Sequence, residues 1–194
     1  MYYKLLVMKF FENSFEEYLK STKKDLHPEL KILHESLPET IQELKNMIFY
    51  GPPGVGKYTQ VLQAIKRYSP SELKYEKKII ITRPKWEFNL KISDIHFEVD
   101  MDILGVNSKV WWYEIHNQII DIISAKSENT GIIICKNFQS IHSELLEIFY
   151  SYMQNINTNN ISIKFILITQ ELSFISENIL TSCKIIDVKR PTKT

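Results

Sequence analysis

The stretch that decides the fold reads Met47-Ile48-Phe49-Tyr50-Gly51-Pro52-Pro53-Gly54-Val55-Gly56-Lys57. Its first four residues predict a short apolar strand, and apolar residues at helical spacing follow from residue 57. Between them, glycines let the backbone bend so that successive amides point inward, where they and a helix N-terminus can hold phosphate oxygens. Strand, glycine-rich loop and helix in this order predict a phosphate-binding loop, the P-loop.

The predicted nucleotide site consists of the loop and the first turn of the helix after it. Its residues are Gly51, Pro52, Pro53, Gly54, Val55, Gly56, Lys57, Tyr58 and Thr59. Lys57 is expected to reach the β- and γ-phosphates as a point charge. The motif requires Ser or Thr at the next position, to ligate magnesium, but this chain has Tyr58, whose hydroxyl lies too far from the backbone. We therefore expect weak binding of ATP or ADP, with Thr59 near the α-phosphate and magnesium poorly positioned.

Strands and helices alternate after the loop. The predicted strands cover residues 78–82, 131–135, 162–169 and 184–188, and the predicted helices cover 57–68, 109–126, 142–154 and 176–180. Residues 89–101 alternate apolar and polar side chains, as either one long strand or a hairpin-like pair. This rhythm predicts an α/β fold, a three-layer sandwich of the P-loop NTPase type with a mostly parallel five-stranded sheet. Buried positions in its central strands are predicted at Ile48, Ile80, Ile133 and Ile166.

Residues 1–45 are predicted to form a helical N-terminal extension. Ser14, three residues before a glutamate, predicts a capping box, Pro28 is suited to open a second helix, and residues 39–45 are predicted as a third short helix. The predicted organisation is therefore an extension followed by one compact nucleotide-binding core at residues 46–194.

Composition restricts the classes of function. The 194 residues include 24 Lys and Arg against 23 Asp and Glu, so the net charge of +1 gives nucleic-acid binding no support. Apolar runs are too short to span a bilayer, and no membrane partner is expected. Cys135 and Cys183 lie in apolar segments, which predicts buried thiols in a reducing intracellular compartment: cytoplasm, nucleus, host cell or virion. The five histidines lack ligand spacing, so no structural zinc is expected.

Acidic residues are missing where phosphoryl transfer needs them. Magnesium is normally held by a carboxylate near the P-loop, and a further acid or amide positions the attacking water. The candidate strand at residues 131–135 is followed by Lys136 and Asn137. Acids that could substitute within the predicted core are Asp94, Asp100, Asp102 and Asp121. On this basis we assign no catalytic residue and no metal ligand.

Residues 40–190, roughly, resemble the small subunits of clamp loaders of the replication factor C type, within the AAA+ ATPases. The resemblance rests on the strand and loop at 47–59, the strand at 95–100 with the turn at 105–109, the sensor-1 strand at 164–170 and the Ser-Arg-Cys position at 180–183. The abundance of Ile, Lys and Asn also resembles proteins encoded by large cytoplasmic DNA viruses. The resemblance implies protein partners of a clamp-loader or replication complex.

The departures from the family pattern all remove catalytic groups. Lys136 and Asn137 stand at the Walker B acids, Gln170 at the sensor-1 asparagine and Ser182 at the arginine finger. Because the sequence ends at Thr194, we expect no helical lid and no collar domain. The resemblance therefore implies a clamp-loader-like, nucleotide-binding AAA+ module with degenerate catalytic motifs, which acts through partner contacts in DNA replication.

Three other functions stay open on the sequence. An active ATPase could use unconventional acids or residues supplied by a partner. A small P-loop nucleotide kinase would have this length, but such enzymes use several arginines and this chain has only Arg67, Arg83 and Arg190. The loop could also be empty, in a purely structural protein. Contact with DNA, weak for the chain alone, is best placed at Lys74, Lys77, Lys78, Arg83 and Lys85.

Overall fold

The computed structural model describes residues 15–22, 25–83, 86–154 and 161–191. The predicted capping box at Ser14 lies outside these residues. The helices are α1 (Phe15–Ser21), α2 (Lys31–Glu35), α3 (Lys57–Lys66), α4 (Met101–Leu104), α5 (Ser108–Ser124), α6 (Ser143–Met153) and α7 (Glu177–Ser182). Short 3-10 turns occupy Pro28–Leu30 and Phe138–Ser140. The strands are β1 (Asn46–Tyr50), β2 (Lys77–Arg83), β3 (Trp86–Ile92), β4 (His96–Asp100), β5 (Thr130–Lys136), β6 (Ser162–Thr169) and β7 (Cys183–Asp187).

The strands form one sheet in the order β2-β3-β4-β5-β6-β1-β7. The five strands from β4 to β7 in this order are parallel to one another, as predicted. The predicted total of five strands is wrong, because the antiparallel pair β2 and β3 extends the sheet beyond β4. The ambiguous stretch at 89–101 contains parts of two strands, since the chain turns at Ser93, whose hydroxyl accepts from the amides of Ile95 and His96.

Helices and the N-terminal segment cover both faces of the sheet. One face packs against α5 and α6, and the other against α3 and apolar residues of the ranges 15–22 and 25–44. Ile48, Ile133 and Ile166 are buried in inner strands, which confirms their prediction. The prediction for Ile80 is wrong: β2 is an edge strand, and its buried residues are Ile79 and Ile81 on the opposite pleat.

The predicted third helix at residues 39–45 is absent, and this stretch forms turns. Leu37, Ile41 and Leu44 are buried, so their spacing reflects anchoring of an irregular segment to the core. Side chains at the end of α3 bind the backbone just before this stretch. Arg67 donates to the carbonyl of Leu37, and the hydroxyl of Tyr68 donates to the carbonyl of Pro38. External hydrogen bonds therefore replace those of a helix.

Both cysteines are free thiols. Cys135 is fully buried, as predicted, and burial raises the pKa of its thiol. The prediction for Cys183 is only partly right, because this residue at the start of β7 is half-buried. Among the residues described, no helix combines the length and apolar character that a membrane span requires.

His116 supplies a test of the packing between α5 and the sheet. Its ring contacts Trp112, Tyr152 and Phe165, and burial lowers its pKa to about 4. The unfolded chain, with an ordinary histidine pKa, takes up this proton first, so the stability involved is present above about pH 6.5 and is lost as pH falls toward 4. In His116→Phe, the loss of unfolding free energy between pH 7 and about pH 4 should shrink by on the order of 3 kcal/mol. Urea denaturation at both pH values measures it, and equal losses in the two proteins would contradict this packing.

Candidate functional site

The glycine-rich loop lies at the carboxyl end of β1, an inner strand flanked by β6 and β7. Ligands of open α/β sheets bind outside the carboxyl ends of the strands. Gly54 and Gly56 have φ of 76° and 94°, in the left-handed region that glycine adopts without strain. At Gly51, a Cβ would lie 2.2 Å from the carbonyl oxygen of Val188. Residues other than glycine would be strained at these three positions. The resulting backbone bend leads the chain from β1 into the first turn of α3.

Lys57 lies against the loop that precedes it. Its Nζ donates hydrogen bonds to the carbonyl oxygens of Gly51, at 2.6 Å, and Pro52, at 2.7 Å. The residue is only 9% exposed, and burial lowers the pKa of its ammonium. The cation that the motif requires is therefore placed within the loop and held there by backbone acceptors.

His27 connects the N-terminal segment to the loop, a contact that the sequence reasoning missed. Its Nε2 lies 2.6 Å from the carbonyl oxygen of Val55 and donates to it, while Nδ1 lies 3.1 Å from a carboxylate oxygen of Glu29. The side chain is buried, and its ring lies 3.8 Å from where a Cβ of Gly56 would be. A histidine just before Pro28 was its only sequence signal.

Helix α1 covers the first turn of α3. The hydroxyls of Tyr18 and Thr59 lie 3.2 Å apart, and the rings of Tyr18 and Tyr58 meet edge to face. Thr59 is almost fully buried. A hydroxyl has one donor and two acceptor sites, so Thr59 keeps capacity for a further hydrogen bond, and its role toward the α-phosphate stays a prediction.

The side chain of Tyr58 points away from the loop toward β4. Its hydroxyl donates a hydrogen bond to Oε1 of Glu98, and the Nζ of Lys136 lies 3.2 Å from Oε2 of the same carboxylate. Nε2 of His96 lies 3.6 Å from Oε1, beyond a good hydrogen bond. We call Tyr58, Glu98 and Lys136 the Tyr-Glu-Lys cluster. It places a buried carboxylate, 3% exposed, beside the start of the P-loop helix.

Strand register explains how the cluster assembles. In the parallel pair β4 and β5, Glu98 lies opposite Ile134 and Asp100 opposite Lys136, so Glu98 and Lys136 share the face that α3 covers. On the sequence, Glu98 is one of the polar positions in the alternation at residues 89–101, and it was given no role. An inner parallel strand is covered on both faces, so its polar positions are buried too. That rule is the signal that could have identified Glu98.

The cluster is ionised, with one hydrogen bond and one ion pair at the carboxylate of Glu98. Burial alone would raise the pKa of the Glu98 carboxyl, but the neighbouring His96, the charge of Lys136 and the hydroxyl of Tyr58 outweigh it and hold the pKa below its usual range. Burial and the charge of Glu98 raise the pKa of Tyr58. At neutral pH, Glu98 is therefore a carboxylate that accepts a hydrogen bond from the Tyr58 hydroxyl and forms an ion pair with the Lys136 ammonium.

The acids proposed from the sequence lie elsewhere. Asp94, Asp102 and Asp121 are exposed. Asp94 accepts from the hydroxyl of Ser69 far from the loop, whereas Asp100, half-buried, caps α4 through the amide of Asp102. The Nδ2 of Asn137 donates to Asp100 at 2.9 Å.

Residues 47–190 match the sequence profile of the ATPase family associated with various cellular activities (AAA). The chain belongs to this family. Its α/β P-loop NTPase fold agrees with that membership, and no separate helical lid is evident in the described part of this AAA chain. Comparison with curated protein sequences finds no match.

Several solved structures align with this chain at low sequence identity. The chain aligns with the RuvB Holliday junction branch migration motor of Thermotoga maritima at 14% identity and TM-score 0.45, covering 92% of this chain and 47% of that one. For PCH-2 of Caenorhabditis elegans the values are 15%, 0.44, 86% and 39%. For RIF2 of Saccharomyces cerevisiae they are 16%, 0.49, 91% and 59%. The chain spans about half the length of the structures that it matches.

The residues of this AAA chain do not fit magnesium. A magnesium ion demands near-octahedral oxygen ligands, and in P-loop NTPases these include the hydroxyl after the loop lysine and a Walker B aspartate. Here the hydroxyl of Tyr58 donates to Glu98, and β5 ends at Lys136, whose ammonium has no lone pair for a metal ion. In the described ranges, no group of three His, Cys, Asp or Glu is arranged to hold a metal ion.

The roles that the sequence resemblance gives Gln170 and Ser182 stay predictions. Gln170 follows the end of β6 and is exposed. Ser182, at the end of α7, donates its hydroxyl to the carbonyl of Ile179 within its own helix. Neither side chain carries the charge that an arginine finger supplies.

The ion pair of the cluster should contribute to folding. Lys136→Met would leave the Glu98 carboxylate buried without its cation, and we expect it to lower the free energy of unfolding by about 2 kcal/mol. Lys66→Met removes an exposed pair, with Glu72 at 3.4 Å, and should cost less than about 1 kcal/mol. The double variant Lys136→Met with Glu98→Gln should recover most of the loss. Urea denaturation measures all three, and equal effects of Lys136→Met and Lys66→Met would disprove the role of the pair.

Proposed function

We propose that this chain is a clamp-loader-like AAA+ module that binds ATP or ADP in the P-loop, does not hydrolyse it efficiently and acts through protein partners. One observation carries the proposal. The buried carboxylate beside the P-loop helix, Glu98, is bound by Tyr58 and Lys136, and the Walker B positions hold Lys136 and Asn137. The loop is suited to hold phosphates, whereas the groups that drive hydrolysis are replaced.

Support for nucleotide binding comes from the loop and the family. The loop has left-handed glycines, opens a ten-residue helix and carries the Lys57 ammonium. The N-terminus of such a helix, together with loop amides, is a ready anion site. The contact of His27 with Val55 supports the loop conformation from outside.

Support for the lack of hydrolysis comes from the chemistry of each replaced group. The Asn137 amide is a poor proton acceptor, and its Nδ2 is committed to Asp100. The Lys136 ammonium has no lone pair for a metal ion. Ser182, bonded within α7, cannot stabilise the charge that develops on a transferred phosphate.

Support for action through partners comes from exposed apolar side chains around α4 and α5. Ile103, Val106, Val110 and Tyr113 are 56–76% exposed and lie in neighbouring turns. Contiguous exposed apolar surface marks interaction sites on soluble proteins. The clamp-loader type and a role in DNA replication rest on the sequence resemblance, which also suggests a viral source.

Two alternatives are favoured by particular observations. The hydrogen bonds from Lys57 to the carbonyls of Gly51 and Pro52 favour an empty loop in a structural protein, because they occupy the ammonium. Contact with DNA is favoured by Lys77, an exposed cation on the edge strand β2 that a phosphate backbone could reach. A nucleotide kinase has less support, because Arg67 is bound to the carbonyls of His34 and Leu37.

Nucleotide binding should depend on Lys57. Lys57→Ala removes the ammonium of the loop, so titration calorimetry should detect ATP and ADP binding to the parent and none to the variant. Lys66→Ala, in the same helix but on its surface, is the matched control and should bind like the parent. Equal binding by the parent and Lys57→Ala would remove the nucleotide site and favour the structural protein.

Hydrolysis by the isolated chain should not exceed background. Lys136→Asp with Asn137→Glu should not restore it, because Tyr58 still stands at the metal position. A phosphate-release assay tests both proteins. Turnover that disappears in Lys57→Ala would make the chain an active ATPase, and turnover that appears only with a partner would make it half of a composite enzyme.

A further inference from the structure

A fixed cation, the ammonium of Lys136, lies beside Tyr58 in the first turn of the P-loop helix. In a P-loop NTPase, the cation beside the phosphates is bound by a carboxylate and by the hydroxyl that follows the loop lysine. The Tyr-Glu-Lys cluster contains the same two kinds of group, the carboxylate of Glu98 and the hydroxyl of Tyr58. The cation with them is the ammonium of Lys136, 3.2 Å from the carboxylate and 5.4 Å from the centre of the Tyr58 ring.

The surroundings hold the cluster in place. Phe15 of α1 packs on the ring of His96, and Tyr18 packs on Tyr58, so one helix covers both ends of the cluster. A cavity of about 490 Å³ lies beside it, lined by Tyr58 and Lys136 among others. The side chain of Lys136 is 30% exposed, whereas that of Glu98 is 2% exposed. The ammonium is therefore the accessible end of an otherwise buried pair.

We infer that the ammonium of Lys136 replaces the metal ion, so that this chain binds the metal-free form of a nucleoside di- or triphosphate. The inference rests on the proposed nucleotide binding and adds the charge form of the ligand. Lys136 supplies one positive charge beside the start of the P-loop helix, in addition to the ammonium of Lys57 that the loop itself carries. Both charges belong to the chain, so binding needs no dissolved cation.

Like-charge repulsion gives the same preference. A divalent cation near Glu98 would have to displace the ammonium from a buried carboxylate and would then face that ammonium at short range. Magnesium also gives up its own water ligands reluctantly, and the hydroxyl of Tyr58 is already committed. Magnesium bound to a nucleotide should therefore compete with the chain for the phosphates.

The test is titration calorimetry of ATP and ADP into the full chain, once in excess magnesium and once in EDTA. The account expects binding in EDTA that is as tight as in magnesium, or tighter. Binding that is tighter in magnesium by about tenfold, the effect of one charge-assisted hydrogen bond, would overturn the inference while leaving nucleotide binding intact. No binding in either buffer would instead refute the proposed function.

Variants separate a ligand role from a structural one. Lys136→Met with Glu98→Gln removes both charges of the pair, so no buried charge is left alone. In EDTA it should weaken binding by at least about fivefold, because one charged contact to phosphate is lost. The control is Lys91→Met with Glu76→Gln, which removes another pair, 3.2 Å apart, on the same cavity and should leave binding unchanged. Equal binding by the parent and the Lys136 double variant would make the pair structural only and overturn the inference.

A gain-of-metal variant completes the design. Tyr58→Thr with Lys136→Asp restores the hydroxyl and the carboxylate that the family uses for magnesium. Its nucleotide binding should become tighter in magnesium than in EDTA by about tenfold. Equal binding in the two buffers would contradict the claim that Tyr58 and Lys136 set the metal independence.

Discussion

The carboxylate of Glu98, buried on an inner strand, is the group on which the arrangement of the site depends. A buried charge is tolerated only when it is paired and hydrogen-bonded. Tyr58 meets this requirement from the first turn of α3, and Lys136 from the end of β5. The same contacts join helix α3 to strands β4 and β5, which β6 separates from β1 in the sheet. Stability and ligand chemistry therefore depend on one set of atoms, and a change at any of the three residues affects both.

The N-terminal segment adds a second constraint on the loop. His27 holds the carbonyl of Val55, Tyr18 meets the hydroxyl of Thr59, and Phe15 covers the ring beside Glu98. Each contact bridges a residue before β1 to the phosphate loop or the cluster. Ordering of this segment and ordering of the loop are thus linked, because neither set of side chains keeps its partners without the other. A partner that binds the N-terminal segment would therefore also affect nucleotide binding in the loop.

Much of the fold could be predicted from local sequence patterns that have a single physical explanation. The strand, loop and helix around Gly51 were readable because only glycine tolerates the close approach to Val188, and β6 was predicted with its observed bounds. Residues 89–101 could be either one strand or a hairpin-like pair on the sequence, because alternation alone does not locate a turn such as the one at Ser93. The site was only half predictable. Lys57 follows from the motif, whereas Glu98 and His27 are buried by tertiary contacts that no local pattern shows.

The most direct measurement of the central claim is anomalous diffraction from crystals grown with ATP and manganese. Manganese takes the oxygen ligands that magnesium takes and reveals itself by its anomalous signal. The account predicts phosphates on the P-loop, no manganese peak beside Glu98, and the Lys136 ammonium still at ion-pair distance from that carboxylate. A manganese ion bound by Glu98 or Tyr58, with Lys136 displaced, would contradict it.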